Sequence, residues 1–298
     1  MLLVFGLVIG LAWPALAEAL ASHVPELIGL LLVISAFGIG AKAAVASLLE
    51  LRWSLPAVLV LQIALPLLMA SALWLGDAIQ TPLGLALILA TASPALTGSM
   101  TLASILGQDT VRTMQVMVLG VALFPVTTLV VLSLVPIAGD DVRLVEVGLR
   151  ALATICVTVA AGFALRAWLL PNPTPAARHA TNGAAALCST LIVIGLVAAL
   201  APVLRNDPMA AVLWIVFAFV LCFGLQLATL VSLTRGPLAH AAGPLALAAG
   251  NRNIVLFLVA LPPDVMAPVQ VFIACWQLPM YLTPILLAPL YARLSPGE

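Results

Sequence analysis

Charge is what this chain has least of. Only 7% of its 298 residues are charged, while 64% are hydrophobic. A water-soluble domain of this length needs a charged surface, and so few ionic side chains cannot supply one. Eleven basic and eleven acidic residues cancel to a formal net charge of zero, so no basic field exists to attract nucleic acid. Lysine is nearly missing, Lys42 being the only one, and the remaining basic residues are arginine. With so much alanine, that usage fits a GC-rich bacterial genome. Metal and redox motifs are missing too: there is no HExxH and no CxxC. Cys156, Cys188, Cys222 and Cys275 stand singly in apolar runs, where cysteine is expected as a small buried hydrophobe. No metal site and no cofactor is expected.

What is there is a series of long apolar runs. In a bilayer every backbone polar group must be satisfied internally, so such runs are helices or barrel strands. They far exceed the about 10 residues of a barrel strand and do not alternate. Spans need about 20 apolar residues, which places ten helices near 2–17, 25–48, 56–75, 81–106, 111–136, 144–168, 182–203, 209–232, 239–261 and 265–292. The first ends in Ala15-Leu16-Ala17, a sequence like a signal-peptidase site. No basic residue precedes it, so it reads as the first membrane helix.

Ten spans put Lys42, Arg52, Arg112, Arg166, Arg178, Arg235 and Arg293 on one side, and Arg143, Arg150 and Arg205 on the other. Seven against three predicts both termini in the cytoplasm of a bacterial inner membrane. The acidic linker Ile137-Ala138-Gly139-Asp140-Asp141 divides five helices from five. An odd number per half forces the second half in upside down, the plan of an inverted repeat, 1–138 against 139–298.

In such folds the substrate site lies where Gly/Pro-interrupted helices meet at corresponding places in the two halves. The fourth span holds Ser93-Pro94 and Thr97-Gly98-Ser99-Met100-Thr101, and the ninth holds Gly243-Pro244 and Gly250-Asn251-Arg252-Asn253. Proline removes a donor and clashes with the preceding turn, while glycine tolerates unwinding. The candidate substrate-binding residues are therefore Thr97, Gly98, Ser99, Thr101, Gly250, Asn251, Arg252 and Asn253. Gln62, a lone amide in the third span before Pro66, is added as a residue that can face the same crossing. Each hydroxyl also has the plainer reading of a helix contact bonded to its own backbone.

Arg252 is the sharpest signal. An arginine near mid-span costs at least about 2.5–3.5 kcal/mol to insert. All eleven carboxylates fall in loops or at helix ends, so its partner is not a carboxylate inside a span. Three readings stay open: a structural clamp on carbonyl ends, a contact to a substrate anion, or snorkelling to an interface. Asp109, at the end of the fourth span, is the only candidate for proton coupling.

These motifs resemble the bile acid:sodium symporter family. The matching places are Phe37-Gly38-Ile39-Gly40, the run from Leu51-Arg52-Trp53-Ser54-Leu55-Pro56 through Gln62 to Pro66, Ser93-Pro94 with Thr97-Gly98-Ser99 and Gly107-Gln108-Asp109, and Gly250-Asn251-Arg252-Asn253. The resemblance implies a panel domain and a core domain, with the fourth and ninth helices crossing at unwound centres. It also implies sodium ligands that this chain lacks. Ala248 stands where the family has glutamate, Arg252 where it has glutamine, and Met100 where it has asparagine; Asn253 is kept. The apolar run Val116–Leu123 replaces a hydroxyl-rich fifth helix.

The function expected is a secondary transporter of a small organic anion working by alternating access without sodium. Its partners are that small-molecule substrate and the lipid bilayer, with a homodimer left open. A sodium-dependent symporter and a non-transporting membrane sensor are the alternatives. An intramembrane enzyme is disfavoured, because His23, His179 and His240 sit in or beside loops and no carboxylate pair lies inside a span.

Overall fold

Every regular element among the described residues is a helix. The structure is a computed structural model, and it describes residues 2–49, 51–135 and 144–294. The acidic linker at 137–141, and with it the expected boundary between halves, lies outside those residues.

The chain opens with α1 (Leu2–Ala12) and α2 (Pro14–Ala21), divided at Trp13 because Pro14 cannot continue the preceding hydrogen-bond ladder. Ala15 to Ala17 therefore lie within α2. α2 then turns through 73° into α3 (Val24–Ile39). The second expected span is broken at Gly40, whose φ of +78° is a conformation that suits glycine. Beyond it run α4 (Ala41–Leu49) and α5 (Leu51–Leu59), a π-helical turn at Val60–Ala64, and α6 (Leu65–Leu75). The third run thus starts at Leu51, not 56.

The fourth run is split into α7 (Pro82–Ala92) and the short α8 (Ser99–Ile105). Four long helices follow: α9 (Thr110–Leu134), α10 (Leu144–Leu169), α11 (Pro175–Asn206) and α12 (Pro208–Leu233). α11 is longer than the 182–203 expected, since Thr174 caps it and Pro175 occupies a first-turn position. The ninth run is split again, into α13 (Ala242–Gly250) and α14 (Phe257–Ala260). The last comprises α15 (Pro263–Met266), α16 (Gln270–Leu286) and α17 (Ala288–Leu294).

Among the described residues, six helical stretches are long and apolar enough to cross a bilayer, and there are seven if the bent pair α2–α3 is one span. The runs expected as first, second, fourth and ninth spans are interrupted. The outer surface agrees with membrane insertion. In α12 only 17% of the most apolar window is buried, and its uncovered positions include Leu213 and Val220. Uncovered apolar faces on several helices of spanning length suit hydrocarbon, the mark of a multi-pass membrane protein. Cys188, Cys222 and Cys275 are buried as expected, but Cys156 is exposed on α10.

Two groups of helices pack separately. α1, α2 and α3 lie on α11, and α3 also lies on α10. α12 packs on α13 and α16, while α9 packs on α5, α8 and α13. The groups meet where α9 touches α10 and α11 touches α16. At the centre of the second group, the two split runs cross.

Candidate functional site: a guanidinium at the crossing of two broken helices

α7 ends because Ser93 leaves the helical region, and Pro94 has no N–H to rebuild the ladder. α13 ends at Gly250, which sits against the carbonyl of Cys222 and the side chain of Gln226 so closely that a Cβ would collide with both. The two freed segments then satisfy one another. Ala95 and Arg252 form an antiparallel bridge: the N–H of Leu96 donates to the carbonyl of Asn251 at 2.8 Å, and that of Asn253 to the carbonyl of Pro94 at 2.9 Å. Unpaired backbone in the membrane core costs several kcal/mol per group, so this mutual pairing is what permits two breaks at one depth.

The exchange leaves carbonyls behind. In an unbroken α-helix Asn253 would donate to Ala249; here it donates to Pro94 instead, and Ala249 O is released. Ser93 O has no helical turn beyond it. A third oxygen comes from the π turn. The N–H of Leu65 reaches back five residues to Val60 O, bypassing Leu61 O, and the next residue, Pro66, has no N–H to offer. Leu61 O is thereby orphaned.

Arg252 takes all three. Its Nε donates to Ala249 O at 2.9 Å, Nη1 to Ser93 O at 2.7 Å and Nη2 to Leu61 O at 3.1 Å, with the residue only 1% exposed. Two of these oxygens are at helix C-termini, each carrying about half a negative charge. Both helix ends favour a cation, and no carboxylate among the described residues bonds the guanidinium. Its own carbonyl accepts from Trp276 Nε1 at 3.0 Å. Of the three readings of Arg252, the clamp on carbonyl ends is the one the geometry displays.

A cavity of about 260 Å³ opens on one side of the crossing. Thr97, Gly98, Thr101, Arg252 and Asn253 line it. Four expected residues do not. Ser99 is fully buried and its hydroxyl turns back to Leu96 O, the ordinary fate of a helix-start serine. Gly250 is buried at its contact with α12. Asn251 faces α16, where its Oδ1 accepts from Thr283 Oγ1 at 3.1 Å and its Nδ2 has no partner. Gln62 accepts from Thr127 Oγ1 at 2.9 Å and is 2% exposed; its contribution is the orphaned carbonyl of its neighbour Leu61, not its amide.

Sequence reasoning missed the far wall: Ser35 on α3, Asn182 and Ser189 on α11, and Gln277 and Tyr281 on α16. No spacing marks them, since they come from three helices distant in sequence. It also missed Gln226, whose Nε2 donates to Thr283 at 3.2 Å and whose Oε1 accepts from Tyr291 at 2.9 Å. The signal was available, because Gln226 is a lone amide in an apolar run just as Gln62 is. Asp109 caps α9 by accepting from Arg112 N at 2.9 Å and pairs with the Arg112 guanidinium at 2.7 Å. That is a structural assignment for the candidate proton carrier.

No family model and no curated protein matches this chain.

Proposed function

We propose that this protein is a secondary carrier of small organic anions whose crossing is held by a fixed guanidinium in place of a coupling ion. The observation that carries the reading is Arg252 bound to three orphaned carbonyls at the meeting of two broken helices, beside a cavity. A hard cation asks for a shell of oxygens at such a place. Here the oxygens are already bonded to a tethered cation that cannot leave or deprotonate usefully. Transport is therefore independent of sodium, unlike that implied by the resemblance to the bile acid:sodium symporters. Anion preference is supported by a lining that contains Arg252 and no aspartate or glutamate among its described residues.

The layout proposed is ten spans in two inverted halves, with both termini on the cytoplasmic side of a bacterial plasma membrane. One side-chain pattern supports it. Gln62 bonds Thr127, joining the third run to the fifth. Gln226 bonds Thr283, joining the eighth to the tenth, which are the third and fifth of the second half. The group around Arg252, with α5, α6, α7, α9, α12, α13 and α16, moves as one body against α1–α3, α10 and α11 to expose the cavity alternately.

Reconstitution tests this. Liposomes with the purified protein should accumulate at least one of a panel of labelled carboxylates saturably, and equally in sodium and in choline medium. Uptake that requires a sodium gradient contradicts the uncoupled reading, and absence of uptake across the panel contradicts the carrier.

A further inference from the structure

A second arginine repeats the chemistry of the first in a small chamber that adjoins the cavity. Arg166, in the last turn of α10, donates from Nη1 to Phe37 O at 2.8 Å and to Gly38 O at 2.5 Å. These carbonyls stand just before the break at Gly40, so their helical partners are lost for the same reason as at the crossing. The guanidinium lies against Gly40 itself, where a Cβ would come within 2.7 Å of Nε. Unlike Arg252, Arg166 is only half-buried, and its Nη2 is left available.

Beside it, the side chain of Arg178 on the first turn of α11 makes no hydrogen bond or ion pair among the described residues. Both arginines line a small chamber of about 130 Å³ together with Phe37, Gly38, Thr181 and Asn182. No acidic residue among the described residues lines it. Gly38, Thr181 and Asn182 also line the large cavity, so the two spaces adjoin across one shared wall.

We infer that Arg166 and Arg178 form an anion-binding site at the mouth of the cavity, which takes the carboxylate of a small organic acid before its apolar body passes inward. The inference rests on the carrier reading for its purpose, not for its existence. Paired guanidinium groups present planar forks of donors that match a carboxylate. Arg252 is much less free to do this, because three of its five N–H groups are bound to main-chain oxygens and the residue is only 1% exposed. The larger cavity continues the path with Leu31, Ile34 and Ile39, an apolar lining suited to a hydrocarbon body. Recognition of the anion is thereby separated from maintenance of the crossing.

Benzoate and its neutral isostere benzamide are the probes, titrated against the whole protein in phosphatidylcholine nanodiscs. Benzoate should bind with a dissociation constant below about 10 mM, and benzamide should not. R178Q should weaken benzoate at least about tenfold, and R178K should restore part of the loss. Arg178 is exposed and has no partner to abandon, so both variants keep the fold. Absence of benzoate binding, equal binding of benzamide, or an unchanged affinity in R178Q overturns the site. Phosphatidylglycerol nanodiscs supply the other arm: unchanged affinity supports a site for solutes, whereas abolished binding assigns the arginines to lipid phosphate and overturns it. Binding that depends on Arg178 without uptake in liposomes leaves the site standing and removes the carrier reading. Uptake without that dependence does the reverse.

Discussion

Arg252 Nη1 stands 2.7 Å from the carbonyl oxygen of Ser93, a residue 159 positions earlier in the chain. That bond ties the end of one half-helix to the unwound centre of another, and the same side chain reaches Ala249 and Leu61 as well. Three helical runs are thereby fixed at one point. The consequences for stability are large, because removing a buried charge from its partners strands every one of them.

Replacement by alanine is the first test. R252A leaves three carbonyl oxygens without donors in a dry interior, together with an empty volume. The expected cost is about 3–5 kcal/mol, read as a fall in the thermal unfolding midpoint of the detergent-solubilised protein. R252K should lose less, since an ammonium keeps the charge but lacks the fork that spans three directions. An R252A protein as stable as the parent would show that Arg252 is not the clamp.

Two glycines at the crossing separate close packing from mere location. At Gly250 a Cβ collides with Cys222 O and Gln226, so G250A should destabilise by about 1–3 kcal/mol. At Gly98 the nearest neighbour is a Leu96 side-chain atom at 3.8 Å, and φ is −86°. G98A should therefore stay within about 0.5 kcal/mol of the parent. Equal effects in a thermal unfolding comparison would contradict the packing described at Gly250.

The matched amide–hydroxyl pairs give a third prediction. Double-mutant cycles on Gln226 with Thr283, and on Gln62 with Thr127, should each return a coupling of about 0.6 kcal/mol or more. A cycle between Gln62 and Thr283, which share no bond, should return none. Coupling absent from both matched pairs would remove the side-chain support for paired halves.

Asp109 supplies a fourth. Its carboxylate caps α9 and pairs with Arg112, so D109A should cost about 1 kcal/mol as a lost cap. D109N retains the capping oxygen, and its uptake should keep the parent's pH profile. A profile flattened in D109N would return Asp109 to the role of proton carrier.

Much of this geometry was written in residue types that act locally. Pro94 and the Gly250 region announced the two interruptions, since proline lacks a donor and glycine tolerates close approach, and both operate wherever the fold places them. The absence of carboxylates near Arg252 posed the right question about its partner. The answer was not legible, because its partners are main-chain oxygens orphaned by pairing between segments far apart. Leu61 O is the clearest case. Pro66 is visible in the sequence, but the π turn that makes its missing N–H matter for Leu61 is not. Of the two readings open for the Ser99 hydroxyl, the structure displays the bond to its own backbone: a serine at a helix start satisfies itself locally, and only the rotamer tells. The far wall of the cavity depends on the packing of α3, α11 and α16, which no local pattern encodes.

The central claim is that Arg252 occupies the place and charge of a coupling cation. The most direct measurement is thermal unfolding of the purified parent protein in sodium chloride against choline chloride at equal ionic strength. The account predicts identical midpoints, because the crossing already holds its cation. A midpoint raised specifically by sodium would show a vacant cation site and contradict it.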